Sequence, residues 1–208
     1  MNKLIDKSIS ITREEANPLL FIFNTISPIS KGAENYLIKN LYPIKLAKGK
    51  ILHHSGEICE QVFFVLQGAV RGYIKEDDKD STTWITIENE MVAAIYSFIN
   101  QVPSIENMQA IEDCSLMAMS HTAMHEMFDL HPETNILARK IFEKYYSDAE
   151  VRALIARLKS ADKKYKFFLE TYSQLSNRIP LKYIASFLGI KLETLSRVRG
   201  LKAKKSLT

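Results

Sequence analysis

The chain has 208 residues, of which 46% are hydrophobic and 25% are charged, a balance typical of a folded protein with a substantial core. This length allows one large domain or two small ones. No apolar run approaches the roughly 20 residues of a membrane span, and no signal peptide is evident, so we expect a cytoplasmic protein without membrane contact. Cys59 and Cys114 lack metal-ligand spacing, so we expect buried, reduced thiols.

The two parts of the chain differ in charge. Residues 1–149 carry 14 Lys and Arg against 20 Asp and Glu, a net charge of −6, whereas residues 150–208 carry 14 against 4, a net charge of +10. This asymmetry favours a polyanionic partner for the C-terminal part. A basic face that only meets solvent is the alternative, unless a binding motif lies within it.

The first half predicts a short helix followed by strands, after residues 1–18, which show little periodicity. Ser30 begins the helix, which stops before Pro43. Short β-branched or aromatic segments follow at 51–54, 61–66, 69–75 and 81–87, separated by turn residues, and one or two more strands fall within 107–119. This spacing is typical of an antiparallel sandwich or roll. Because His53 and His54 are adjacent on a strand, we expect solvated side chains rather than metal ligands.

Residues 132–160 predict one long helix. The segment has no glycine and no internal proline, and it would be about 39 Å long. Its apolar residues recur at helical spacing, at Leu137, Ile141, Tyr145, Val151, Ile155 and Leu158. We expect this stripe to form the interface of a homodimer, with burial inside one subunit as the alternative.

Residues 181–200 carry the most specific motif, a helix-turn-helix. Such a unit needs a small residue where the helices cross, a residue tolerating positive φ at the turn, and apolar residues that lock the helices together. Ala185 and Gly189 meet the first two needs. The locking positions are Ile184, Leu188, Ile190, Leu195 and Val198.

The second helix of this unit is predicted to enter the major groove of duplex DNA. Arg197 matches the O6 and N7 acceptors of guanine, and Glu193 could accept from cytosine. Thr194 and Ser196 are short enough for base or phosphate contacts. Phosphate contacts are predicted for Lys191, Arg199, Lys202, Lys204 and Lys205, with solvent exposure alone as the alternative for each lysine.

In the order of its parts, the chain resembles the cyclic-AMP receptor/fumarate-nitrate regulator (Crp/Fnr) family. Segments 49–52, 56–57, 62–71 and 110–116 resemble the family's β roll, and segments 179–190 and 193–197 resemble its helix-turn-helix. The resemblance implies an α+β chain with an N-terminal antiparallel β roll of the jelly-roll type. It implies a sensor domain at 1–131, a dimerisation helix at 132–160 and an all-α DNA-binding domain at 161–208, with RNA polymerase as a further partner.

The chain departs from the family where nucleotide binders hold the cyclic phosphate. Ala94, Ser104 and Ile105 stand where the resemblance places Glu, Arg and Ser or Thr. A cyclic phosphate buried without a cationic partner is costly, so cyclic AMP is disfavoured. The N-terminal cysteine cluster of iron–sulfur sensors is absent, and residues 201–208 are too few for the family's β-hairpin wing.

We therefore expect a homodimeric transcription regulator that reads duplex DNA, with no catalytic residues, metal or cofactor. Gating by a small-molecule effector in the roll is left open, and the sequence does not identify one. The alternative is a ligand-sensing or interaction protein that no longer binds DNA specifically. No Gly-rich phosphate loop, Ser-His-Asp grouping or paired-carboxylate motif supports an enzyme.

Overall fold

The computed structural model describes residues 10–77 and 79–205, with side chains described up to residue 200. The strands are β1 (Tyr42–Leu46), β2 (Ile51–His53), β3 (Gln61–Gln67), β4 (Val70–Glu76), β5 (Lys79–Thr86), β6 (Met91–Val92), β7 (Asn107–Ala110) and β8 (Cys114–Ser120). The helices are α1 (Arg13–Ile26), α2 (Lys31–Asn40), α3 (Ile95–Asn100), α4 (His121–Leu130), α5 (Thr134–Arg157), α6 (Ala161–Thr171), α7 (Leu181–Phe187) and α8 (Leu192–Lys205), with a short 3-10 helix at Ser173–Leu175.

The strands form two four-stranded antiparallel sheets that face each other as a β roll. Their orders are β1-β8-β3-β6 and β2-β7-β4-β5. Side chains that alternate inward from both sheets fill the interior, among them Leu52, Phe63, Val70, Met108 and Leu116. The predicted antiparallel roll is confirmed, and Cys59 and Cys114 lie buried in it as free thiols.

Helix α1 begins within residues 1–18, where the sequence showed little periodicity, and extends to Ile26. It begins at a capping box, in which the Thr12 hydroxyl accepts from the Glu15 backbone N–H at 3.2 Å and the Glu15 carboxylate accepts from the Thr12 N–H at 2.8 Å. Leu19 and Phe23 pack with α2, α4 and Phe64 on the outer face of the first sheet. Pro18 lies inside the helix and interrupts the pattern by which a helix is recognised.

Helix α5 spans the predicted region, but its predicted dimer stripe faces its own chain. Leu137 and Ile155 are only 2% and 1% exposed, because they pack against the roll and the C-terminal helices respectively. Ile141, Tyr145 and Val151 are half-buried on the same side of the helix. The prediction that Leu137 and Ile155 contact a partner subunit is therefore wrong: their burial is complete within one chain.

Outside this buried stripe, α5 carries further apolar side chains that are open to solvent. Phe142 is 43% exposed and Tyr146 is 71% exposed. With Ile136 and Leu154, which are also exposed, we name these four residues the outer stripe of α5.

The C-terminal helices form a three-helix unit that shares its core with the roll. Tyr165 and Phe168 of α6 pack with α7 and α8, and Ala69 and Ile111 of the roll join the same cluster. Among the described helices, none combines the length and apolar composition needed to cross a lipid bilayer.

Candidate nucleic-acid interface

The turn between α7 and α8 has the geometry that the sequence predicted. Gly189 has a φ of +61°, in the left-handed region that glycine adopts without strain. The Gly189 N–H donates to the Ser186 carbonyl at 3.0 Å, and the Ile190 N–H donates to the Ala185 carbonyl at 3.0 Å. These two hydrogen bonds cap the C-terminal end of α7, after which the chain turns toward α8.

The inner faces of the two helices lock together as predicted. Ile184, Ala185, Leu188, Leu195 and Val198 are buried in the core of the helical unit. Lys164 of α6 is buried too, and its Nζ donates to the Leu188 carbonyl at 2.7 Å. This lysine therefore satisfies a backbone carbonyl at the C-terminal end of α7 and is not a DNA ligand. Residue type alone did not reveal this structural role.

The start of α8 presents polar side chains to solvent. Lys191, Glu193, Ser196 and Arg197 are exposed, and Thr194 is half-buried. The residues that point outward are thus the ones predicted to meet base edges and phosphates at the N-terminal end of a recognition helix.

Arg199 differs from this group. Its guanidinium donates to the Asn177 side-chain oxygen at 2.9 Å and to the Ser176 carbonyl at 3.3 Å. A phosphate contact by Arg199 would have to replace these two bonds, so the structure gives it a role within the helical unit. Lys202, Lys204 and Lys205 lie on the last turns of α8, and their side chains fall outside the described part of the structure.

The positions that correspond to a nucleotide cassette do not form an anion site. Ala94 is buried at the start of α3, and Ile105 is largely exposed. The buried hydroxyl of Ser104 is satisfied locally, since it accepts from the Glu106 N–H at 2.9 Å and donates to the Glu106 carbonyl at 3.0 Å. None of these three residues could hold a cyclic phosphate.

The expectation of two solvated histidines is wrong for His53. Its side chain is buried while His54 is exposed, because neighbouring strand residues point to opposite sides of a sheet. Burial lowers the pKa of His53, and its Nε2 makes no hydrogen bond to the described residues. No group of three or more potential metal ligands occurs in the described part of the chain.

The roll corresponds to a known domain family. The model of that family, described as the cyclic nucleotide-binding domain, matches residues 43–131, which include β1 to β8, α3 and α4. Residues 43–131 are therefore similar to this domain family, and we use its name for this part of the chain. A search of curated protein sequences found no significant match to the chain.

Solved structures share the fold of this domain together with the helices that follow it. FixK2 from Bradyrhizobium japonicum is 20% identical, with a TM-score of 0.67 over 80% of this chain and 86% of FixK2. A CooA mutant from Carboxydothermus hydrogenoformans is 18% identical, with a TM-score of 0.64 over 80% of this chain and 78% of CooA. A protein from Eubacterium rectale assigned to the Crp/Fnr family is 18% identical, with a TM-score of 0.68 over 88% of each chain. The chain therefore has the Crp/Fnr fold.

The cyclic nucleotide-binding domain fills its own interior with large side chains. Trp84 of β5 packs against the interior core, and its indole lies directly over Gly72 on the neighbouring strand. A cavity of about 670 Å³ lies instead between this domain and α5. Its lining includes Trp84, Phe128, Ile141, Tyr145, Arg152 and Tyr172. The cavity thus touches the domain, α5 and the end of α6.

Arg178 joins the helical unit to the cyclic nucleotide-binding domain. Its two terminal nitrogens donate to the two carboxylate oxygens of Glu88 at 2.6 Å each, and it also donates to Glu112 at 2.7 Å. This arrangement holds the pKa of Glu88 at about 2 and raises that of Arg178. The partners are 90 and 66 residues away in sequence, so no local pattern could have revealed the contact.

A second contact between the two parts centres on Arg71 of β4, whose side chain is only 4% exposed. Its guanidinium carbon lies 4.1 Å from the ring centroid of Tyr73 and 4.2 Å from that of Tyr183 on α7. The guanidinium also donates to Asp80 at 2.6 Å and to Gln109 at 2.8 Å. A buried arginine thus stacks between one aromatic ring from each part of the molecule.

Proposed function

We propose that this protein is a transcription regulator that binds duplex DNA through α7 and α8. The observation that carries the proposal is the glycine-turned pair of helices with Lys191, Glu193, Ser196 and Arg197 exposed at the start of α8. The net charge of +10 on residues 150–208 supports a polyanionic partner for this surface. The Crp/Fnr fold is consistent with the proposal, and an activator of this kind would also contact RNA polymerase.

We further propose that the protein acts as a homodimer joined through the outer stripe of α5. Ile136, Phe142, Tyr146 and Leu154 give this helix an exposed apolar surface that a second copy could cover. Two recognition helices about 34 Å apart would then address a pseudo-palindromic site in successive major grooves.

The decisive experiment separates base reading from phosphate attraction. Arg197→Ala removes the predicted guanine contact, so it should cost about 1–3 kcal/mol per half-site and relax the preference at one base pair. Replacing Lys204 and Lys205 with Ala should weaken binding to all duplexes alike and reduce its salt dependence. The measurement is duplex binding to selected and scrambled sites over a series of salt concentrations.

Lys39→Ala with Lys45→Ala is the matched control, since both lysines are exposed on the sensor side of the chain. This control should leave the preference for selected sites unchanged. If Arg197→Ala keeps full sequence preference, the assigned role of Arg197 is wrong. A wild-type protein that binds no duplex even at low salt would instead favour a ligand-sensing or interaction protein.

The cavity beside α5 is our candidate for an effector site, because its occupant would touch both the domain and the helices. Cyclic AMP is not expected in the roll, since Ala94, Ser104 and Ile105 offer no cation to its phosphate. Loss of a desolvated arginine–phosphate pair typically weakens affinity by about three orders of magnitude. Titration calorimetry should therefore show no cyclic-AMP binding at low micromolar concentration, and a clear low-micromolar isotherm would contradict this prediction.

A further inference from the structure

The β4–β5 hairpin lies against the outer surface of α7, the first helix of the helix-turn-helix. The Ser186 hydroxyl accepts from the Thr82 backbone N–H at 2.9 Å and donates to the Asp80 carbonyl at 2.8 Å. Tyr183, three residues earlier on α7, stacks on Arg71. Residues three apart share one side of a helix, so the hairpin covers a continuous strip of α7.

This strip belongs to the only side of α7 that DNA could approach. The opposite side is packed into the helical unit through Ile184, Ala185 and Leu188. In a bound helix-turn-helix, the first helix crosses the phosphate backbone while the second enters the major groove. In this structure α8 is exposed, whereas part of the surface with which α7 would cross the backbone is occupied.

The hairpin that occupies this surface is acidic. Residues 76–80 read Glu-Asp-Asp-Lys-Asp, with four acids to one lysine. Arg71 pairs with Asp80 at 2.6 Å, while Glu76 and Asp77 are exposed to solvent. Negative charges at this place would repel the phosphates of an approaching duplex.

We propose that the docked β4–β5 hairpin is an autoinhibitory contact, which lowers DNA affinity until the helical unit leaves the cyclic nucleotide-binding domain. The inference rests on the proposed DNA binding by α7 and α8. Arg178, through Glu88 and Glu112, strengthens the docked arrangement from a second point. A ligand or partner that prefers the released arrangement would raise DNA affinity by shifting this equilibrium.

The test is to lock the docked arrangement with a disulfide. Thr82 and Ser186 are the positions for paired cysteine substitutions, because the two residues are in direct contact, with the Thr82 backbone nitrogen 2.9 Å from the Ser186 hydroxyl, and neither side chain is charged. Thr82→Cys with Ser186→Cys, after mild oxidation, should lose duplex binding and should recover it on reduction. Each single substitution, treated in the same way, is the control, and Cys59 and Cys114 are buried in both.

A second double variant is designed to favour the released arrangement. Glu88→Gln with Glu112→Gln removes both ion pairs of Arg178, so this double variant should bind DNA more tightly than its control. The matched control is Glu14→Gln with Asp129→Asn, which removes the same amount of charge at exposed sites elsewhere. Equal DNA binding by the locked and reduced proteins would overturn the autoinhibition alone. Absence of duplex binding by the wild type, the reduced and the released proteins at low salt would overturn the proposed function as well.

Discussion

At the scale of single residues, Trp84 packs closely over Gly72 in the roll. The two residues face each other on β4 and β5, and a β-carbon at position 72 would overlap the indole ring. Glycine is therefore required here by the size of the opposite side chain, since the φ of Gly72 is ordinary. Trp84 is also the single tryptophan of the chain, which makes its fluorescence a local probe.

Gly72→Ala is expected to lower the free energy of unfolding by about 1–3 kcal/mol, the usual cost of overpacking a filled core. Urea unfolding monitored by Trp84 fluorescence measures the change. Gly200→Ala is the control, because that glycine lies in helix α8 with open space around it, and alanine there should be neutral or stabilising. Adding Trp84→Leu to Gly72→Ala should recover part of the loss, measured for both variants by far-ultraviolet circular dichroism because Trp84→Leu removes the fluorescent probe. No recovery would show that the strain has another source.

At the scale of elements, α5 shows how far periodicity can predict an interface. The spacing of Leu137, Ile141 and Ile155 correctly predicted an amphipathic helix. It did not reveal that α1 and α6 would cover that stripe, because the contacts join segments distant in sequence. The outer stripe, with Phe142 and Tyr146, is less regular, and only the fold shows that its side chains are exposed.

Other features of the fold are likewise set either by neighbouring residues or by contacts between segments distant in sequence. The Ser30 cap, the Gly189 turn and the alternating strands follow from neighbouring residues, and each was predicted. Strand β6 has two residues and is a strand only because β3 pairs with it. The Arg71 stack likewise depends on β4 meeting α7, which is distant in sequence, so its residues gave no signal in the sequence. Sequence alone thus predicted the helix-turn-helix but not what the outside of α7 contacts.

Charge substitutions in the outer stripe and in the buried stripe of α5 should have different results. Tyr146→Glu and Phe142→Glu place a carboxylate on the outer stripe, so they should yield folded monomers at micromolar concentration. Ile155→Glu buries a carboxylate in the shared core, so it should destabilise the fold, by about 3 kcal/mol or more. Sedimentation equilibrium together with thermal unfolding distinguishes the outcomes. Wild-type protein that sediments as a monomer would exclude the proposed dimer.

At the scale of the whole molecule, Arg178 links the stability of the cyclic nucleotide-binding domain to that of the helical unit. It occupies the gap between two carboxylates, Glu88 and Glu112, that would otherwise repel each other. Glu88 also accepts from the Gly68 N–H at 2.7 Å, so the carboxylate is fixed within the domain before it meets the arginine. The helical unit therefore docks onto an acidic site that the domain itself helps to hold in place.

This link should fail at acid pH. Arg178 lowers the pKa of Glu88 from 4.5 to about 2 in the folded protein. The unfolded chain therefore takes up a proton first, so the stabilisation is complete above about pH 4.5 and is lost as the pH falls toward 2. Because the pair is about a third exposed, the loss should be modest, about 1–2 kcal/mol.

Unfolding followed by Trp84 fluorescence and by far-ultraviolet circular dichroism should give one coincident transition at neutral pH, because the domain and the helices share a core. Glu88→Gln should remove part of the pH dependence between 4.5 and 2, and it should separate the two transitions already at neutral pH. Glu34→Gln is the control: the pKa of Glu34 is also held at about 2, by Lys31 and Arg13, but this site is remote from the helical unit. It should reduce the pH dependence while the transitions stay coincident. If both variants separate the transitions equally, the coupling does not run through Arg178.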